Sequence, residues 1–579
     1  MKRLAILICL ILCACSQQSI EPVRILPPDI TLNPYTAQTV APDPIHFNNL
    51  RSLGDERVYH FKALPNEALS LQVFTPFHQL EEVRLALLDI TAEVKCYRIG
   101  LTKNTEKSNS FYPDVLIPLQ PDTSLFEGIV LDSIEVTYSI FPYSTSDSSF
   151  PVPKGTQLDG VWLEVLIPAE ATTGTFIGEL IVETSTTSKL LQLSVEVIED
   201  TSNSIPFQLD MNEYGYKYHR AAPKDTLPEQ RNRLDRRAHQ FARDHYAVLN
   251  PLPYRSQRGI PYQTAIPTLL NNDLLNPQLD WRAFDERFGP LFDGSAFPDG
   301  QPLRHAYLPF NPEWPAPLIL HFSDRQKYEA VWQAFADAYI THFKERGWTN
   351  TVFQIYNNQK PGENNRIPWN LDEPKSIEDY RALNYYQQLT ERVFANAGPV
   401  DIRFRLDISH FFCDEHLGYE DRDLRTNNGM PLLQDISIWA IAGHSLGDSL
   451  ADQNAQTLLE AGKEVWLYGQ TPYLHTPAHK VFALAFRVAE KNLTGLMFWK
   501  SLARAPYLNG GFDHIFYVQK RSNSTGIDFY PTLRLKQLKR AIDDLRQAAI
   551  EQKVSVSELR QIFEGGIRTN IRQATSSWR

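Results

Sequence analysis

The alternation of apolar and polar residues changes character near Pro206, and the two sides predict different architectures. From about residue 55 to residue 200 the apolar positions come in short alternating runs, LSLQVF, VRLALLDI, VWLEVLIP, GELIVE and LLQLSVEVIE, separated by Gly, Pro, Ser and Thr. Period-two patterning bounded by turn formers predicts a β-sandwich. Within it, LIPAEATTGTFIGELIVE reads as strand, turn and strand, with Gly174 and Gly178 allowing tight backbone.

Beyond Pro206 short apolar strands alternate with long helical patterns. QLDMNEYG, YAVLNPL, YLPFN, TVFQIYNN, VDIRFRLDIS, ISIWAIAG, EVWLYGQ and TGLMFWK are eight strands; RQKYEAVWQAFADAYITHFKERG and AHKVFALAFRVAEKN are helices between them. Eight strands at this spacing predict a (β/α)8 barrel. TLRLKQLKRAIDDLRQAAIEQ carries apolar residues at helical spacing and is expected to pack on the barrel's outside. The expected fold class is therefore α/β plus all-β. An N-terminal β-sandwich (46–200) precedes a (β/α)8 TIM-like barrel (206–520) and a C-terminal helix and tail (521–579).

A barrel keeps its chemistry in the loops after its strands. Asn212, Glu213 and Tyr214 end the first strand, Tyr356, Asn357 and Asn358 the fourth, Arg405 and Asp407 the fifth, Tyr468 the seventh and Trp499 the eighth. Trp499 or Tyr468 is suited to an apolar platform under a sugar ring, and Asn or Arg to bonding hydroxyls. The alternative for each is barrel packing.

Composition narrows the partners. A net charge of -11 without a clustered basic face argues against nucleic acid. The first residues, MKRLAILICLILCACSQQ, give a basic start, an apolar run too short to span comfortably and small residues before a cysteine, the form of a secretion signal. Leu12-Cys13-Ala14-Cys15 resembles the lipobox of bacterial lipoproteins, which implies a signal peptide over 1–15, lipidation at Cys15 and a membrane partner through that anchor. Ser16 in the following position fits outer-membrane sorting. A freely secreted protein is the alternative. The Pro-, Thr- and Gln-rich residues 16–45 read as a tether. Cys96 and Cys413 are the cysteines outside the leader and imply no disulfide framework.

The sharpest chemical feature is Asp372-Glu373, in WNLDEPKSIEDYRALNYY. One account places Pro374 at the first turn of a helix, with the acids facing its dipole. The other notes that the pair follows the fourth strand, behind a loop with Lys360, Trp369 and Asn370, at the face where a barrel's site must be. Neighbouring carboxylates divide labour if one is held protonated while the other stays ionised, as glycoside hydrolysis requires.

Here the chain resembles glycoside hydrolase family 123. The resemblance rests on LIPAEATTGTFIGELIV, HFKERGWTNTVFQIY leading to LDEP, EVWLYGQTPY, NLTGLMFWK and YPTLRLKQLKRAIDDL. It implies substrate-assisted cleavage of an N-acetylhexosaminide, in which the acetamido group at C2 attacks the anomeric carbon. By position, Asp372 would orient and stabilise that group and Glu373 would be general acid and then base. The substrate-binding set expected beside them is Asn212, Glu213, Tyr356, Asn358, Lys360, Arg405, Asp407, Tyr468 and Trp499, with no cofactor and no metal. QKPGENNRIPWN, Gln359 to Asn370, stands where closer family members run almost directly from strand into motif, so the pocket is expected to be reshaped. That insertion motivates the alternative of a non-catalytic carbohydrate-binding lipoprotein.

Two rival motifs remain. GHSLG, Gly443 to Gly447, matches the nucleophile elbow of a serine esterase at Ser445, with Asp452 and His475, His479 or His514 in suitable chain order, but no oxyanion-loop stretch accompanies it. HFFCDEH, His410 to His416, offers zinc-type ligands without a paired second half.

Overall fold

The computed structural model describes residues 23–26, 58–87, 90, 92–103, 111–121, 134–140, 155–200, 206–256, 258–362, 366–409, 435–447, 449–469, 471–503, 514–520 and 527–552. The leader, Cys15, Cys413 and HFFCDEH lie outside them; of the tether expected over 16–45, residues 23–26 are described, and they are no linker but a strand of the sandwich, with Val23 and Ile25 buried in its core. The chain forms two compact units that divide near residue 201.

The first unit is a sandwich of two five-stranded sheets. One orders β1 (Arg24–Leu26), β3 (Ala68–Pro76), β8 (Leu158–Leu166), β5 (Glu93–Lys103) and β6 (Phe111–Pro118). The other orders β2 (Val58–Ala63), β10 (Ser188–Val197), β9 (Gly174–Thr184), β4 (Leu80–Leu87) and β7 (Ile134–Ser139). All neighbours are antiparallel except β10 and β2. The alternation that predicted these strands fills the core: Leu69, Leu71, Val73, Leu180, Val182, Leu191, Leu193 and Val195 are buried in one cluster. Each such side chain contributes roughly 1.5–3 kcal/mol. Gly178 has the close approach expected of it, because a β-carbon there would collide with Leu87 and the Ala86 carbonyl. Gly174 does not; the space around it is open.

The second unit contains eight parallel strands. They are β11 (Gln208–Glu213), β12 (Ala247–Pro251), β15 (His305–Tyr307), β16 (Val352–Tyr356), β17 (Asp401–Ile408), β18 (Ile438–Ala442), β19 (Glu464–Tyr468) and β20 (Gly495–Phe498). The last pairs with the first, and each with its chain neighbour except at the seam between β12 and β15. The result is a nearly closed TIM-like barrel. A short ribbon, β13 (Thr268–Leu269) and β14 (Leu279–Asp280), lies in the connection across that seam. The third strand sits earlier than YLPFN suggests, because Pro309 has no N–H to give a ladder.

Helices follow the strands: α1 (Pro228–Arg243), α2 (Arg282–Phe292), α3 (Ile319–Ser323), α4 (Arg325–Arg346), α5 (Ile377–Val393), α6 (Ser449–Glu460) and α7 (Ala478–Glu490). The terminal helix, α8 (Leu533–Gln552), comes after a small sheet of β21 (Leu502–Ala503), β22 (Phe516–Lys520) and β23 (Ile527–Pro531).

The barrel interior is polar. Residues two apart share a face of a strand, and Asp210 and Asn212, Gln354 and Tyr356, Arg405 and Asp407 follow that spacing. Arg405 is fully buried and holds Asp407 through both forks, at 2.8 and 3.1 Å. It also donates to Tyr307 at 2.6 Å and Gln354 at 3.3 Å. Tyr307 donates in turn to Asn212, which bonds Asp210. A buried ion pair is tolerable only when its remaining donors are satisfied, and this network satisfies them across the barrel.

Candidate active site

The Asp372-Glu373 pair leaves β16 by a segment whose ends are tied together. The amides of Leu371 and Asp372 both donate to the carbonyl of Gln359, at 2.9 and 3.1 Å, closing the inserted stretch at its base. Asn370 donates to the Glu373 carbonyl at 2.6 Å. Glu373 itself sits at φ 62°, the left-handed region in which a non-glycine residue costs about 1–3 kcal/mol.

The acids are not the helix cap. α5 begins at Ile377, and Ser376 caps it by accepting from the Asp379 amide, while the Asp379 carboxylate accepts from the amides of Ser376, Lys375 and Asn370. Three residues of turn and cap, Pro374 to Ser376, thus lie between the pair and its helix, leaving both carboxylates to partners other than the helix N-terminus.

There they meet a set of aromatic and cationic groups. Tyr356 donates to Asp372 Oδ1 at 2.6 Å and receives from the Asn358 side-chain Nδ2 at 3.1 Å. The Tyr468 hydroxyl donates to Glu373 Oε1. Lys360 Nζ stands between the two acids, 3.2 Å from Asp372 Oδ2 and 3.1 Å from Glu373 Oε2. The Asp372 side chain is 13% exposed and that of Glu373 is 26%, so Glu373 is the more accessible.

Environment separates their proton affinities. Burial pushes Asp372 up to about 6, against the pull of Lys360, with the charge of Asp407 adding to the rise. Burial acts upward on Glu373 too, but the Tyr468 hydroxyl and the Lys360 ammonium outweigh it and hold Glu373 below its ordinary range. The more basic acid is Asp372, the reverse of the assignment that makes Glu373 the protonated partner.

An aromatic wall adjoins them. Trp499 stacks on Tyr214, with ring centroids 5.1 Å apart and planes at 13°, and its indole N–H donates to Asp407 at 3.2 Å. Tyr254, Tyr307 and Tyr356 pack beneath, and Tyr254 donates to the Tyr356 carbonyl. Burial raises the Tyr214 hydroxyl, and the charges of Asp372, Glu213, Asp407 and Glu373 add to the rise.

The structure therefore brings Asp372, Glu373, Lys360, Tyr356, Asn358, Asp407, Tyr468 and Trp499 together. Arg405, Asn212 and Glu213 lie beneath the site rather than in it. Arg405 and Asn212 are spent on the barrel network, and Glu213 is buried against Lys217, the Tyr214 amide and the Leu502 amide. Tyr468 is less a platform than a hand on Glu373; it packs with Ala442, Trp466 and Met497. Tyr254 and Tyr307 escaped sequence reading because their loops and strand gave no chemical pattern. Ser445 is buried, with its hydroxyl donating to the Ser409 carbonyl, on a turn after a barrel strand rather than on the sheet an esterase elbow needs. Among the described residues no group of His, Cys, Asp and Glu is disposed to hold a metal.

No protein-family model matches the chain, and no curated protein matches it. Among solved structures, the fold is similar to a family 123 glycoside hydrolase from Clostridium perfringens, described in connection with glycolipid glycan hydrolysis. That likeness has a TM-score of 0.57 and 14% identity, and covers 94% of this chain and 90% of the other. A xylanase from Clostridium thermocellum and a mannanase from Thermotoga petrophila align at TM-scores of 0.34 and 0.33, too low to bear on the fold. The sandwich-and-barrel fold is thus similar to that of this glycoside hydrolase, a likeness that at this identity establishes the fold without fixing activity.

Proposed function

We propose that this chain is a glycoside hydrolase that cleaves N-acetylhexosaminides with retention, the substrate's own acetamido group serving as nucleophile. The observation that carries the reading is the convergence of Asp372 and Glu373, with Tyr356, Tyr468 and Trp499, at the strand ends of the barrel. Asp372 accepts the acetamido N–H and sharpens its carbonyl oxygen, which attacks the anomeric carbon while Glu373 gives its proton to the leaving oxygen. Glu373 then takes a proton from water as that water opens the cyclic intermediate.

The pair carries a single proton between the two affinities, and the productive form has it on Glu373. Substrate binding favours that form: an N–H donated to Asp372 stabilises its carboxylate, and expulsion of water raises the proton affinity of Glu373. The test is chemical. Replacing the acetamido group of an aryl substrate by hydroxyl is expected to abolish cleavage, measured by aryl release. Equal turnover of the two substrates would refute assistance.

A further inference from the structure

The barrel's ladder stops between β12 and β15, and prolines stand where it would continue. Pro251 ends β12, Pro253 follows it, and Pro309 lies just beyond β15. Proline has no N–H to give a neighbouring strand, so three donors that could bridge the seam are missing. All three prolines line a hollow there of about 480 Å³ of empty space, its open mouth included.

α2 forms one side of it. Phe284, Phe288 and Phe292 recur every four residues and so share one face of the helix. They line the hollow, with successive ring centroids 4.9 and 6.0 Å apart. Tyr216, whose ring lies 6.4 Å from that of Phe288, and Tyr307 line it too. A lining so largely apolar and aromatic takes small aromatic molecules in preference to water.

Among the polar members of the lining, Tyr307 donates to Asn212, and Asn250 donates to Asp210 at 3.4 Å. His239, on α1, differs. It is 4% exposed, and its Nδ1 has no partner. A buried nitrogen left unmatched is rare in a folded chain. Burial pushes His239 down to about 4, against the pull of Asp235 and with the charges of Arg287 and Arg243 adding to the fall, so the ring is neutral at neutral pH. A neutral imidazole has one N–H and one lone pair, and a hydroxyl, which both donates and accepts, answers either nitrogen.

We infer that the seam hollow is a ligand site for a small aromatic alcohol, whose ring lies among Phe288, Tyr216 and Tyr307 and whose hydroxyl bonds His239. Ring-on-ring contact favours an aromatic occupant over a saturated one of the same size. The inference does not rest on the hydrolase reading. Tyr307 lines the hollow and also stacks on Tyr356, 5.9 Å ring to ring, so the hollow backs onto the support of the acid pair without containing either acid.

The test is calorimetric titration of the full chain with phenol, benzene and cyclohexanol. Phenol is expected to bind saturably with a Kd of about 1 mM or tighter. Benzene, which lacks the hydroxyl, and cyclohexanol, which lacks the aromatic ring, should each bind about threefold or more weakly. Ala306→Leu fills the hollow from β15 and should abolish binding; His239→Leu should bring phenol level with benzene. Melting curves establish that both variants fold, and a crystal of the wild type soaked in phenol locates the ring even if they do not. No saturable phenol binding by the wild type, a phenol ring found elsewhere, or binding that survives in folded Ala306→Leu overturns the site. Benzene bound as tightly as phenol overturns the contact with His239, and cyclohexanol bound as tightly overturns the aromatic class. The readout needs neither substrate nor turnover, so its failure and that of the hydrolase reading are distinct.

Discussion

Lys360 decides how the acid pair shares its proton. Its ammonium touches both carboxylates and favours the ionised form of each. With Asp372 near 6 and Glu373 below its ordinary range, kcat/KM should hold a maximum between the two and fall as pH rises through about 6, where the last shared proton is lost. Removing the cation raises both affinities. In Lys360→Met the basic limb is therefore expected to move up by about one unit, measured as kcat/KM against pH. A limb that stays in place, or moves down, contradicts the assignment. The two acids were legible in sequence because they are adjacent, precede a proline and follow a predicted strand. Their protonation order was not, since it depends on Tyr468 and Lys360, 95 and 13 residues from Glu373 along the chain.

At the scale of elements, α5 and its cap hold the pair in place. Asp379 is buried and accepts three backbone amides, one of them from Asn370, whose side chain holds the Glu373 carbonyl. Asp379→Asn keeps the size but turns an acceptor into a donor facing N–H groups. It is expected to cost about 1–3 kcal/mol of stability by denaturant titration and to lower kcat more than it raises KM. Unchanged kcat would show that the cap does not position Glu373. Periodicity revealed all eight barrel strands and the long helices because each buries a regular stripe. Of the two accounts open for the acids, the one that set them on the α5 dipole fails, since Ser376 and Asp379, a few residues beyond Pro374, form the actual capping box. The polar interior escaped it as well: Arg405 and Asn212 look like strand-end ligands until cross-barrel partners fill their valences.

For the whole molecule, we propose that the chain is a lipoprotein of the bacterial cell envelope, anchored through Cys15. The support is the leader sequence. Cys15→Ala is expected to abolish incorporation of labelled palmitate and to shift the protein from the membrane to the soluble fraction; continued labelling would contradict the anchor.

The central claim is that the Glu373 carboxyl hands its proton to the departing sugar oxygen. Aryl N-acetyl-galactosaminide and glucosaminide turnover by wild type and Glu373→Gln measures this directly. The amide keeps the contact with Tyr468 but carries no transferable acid, so kcat on substrates with poor leaving groups should fall by about 10²–10⁴-fold. Turnover by the variant equal to wild type would contradict it.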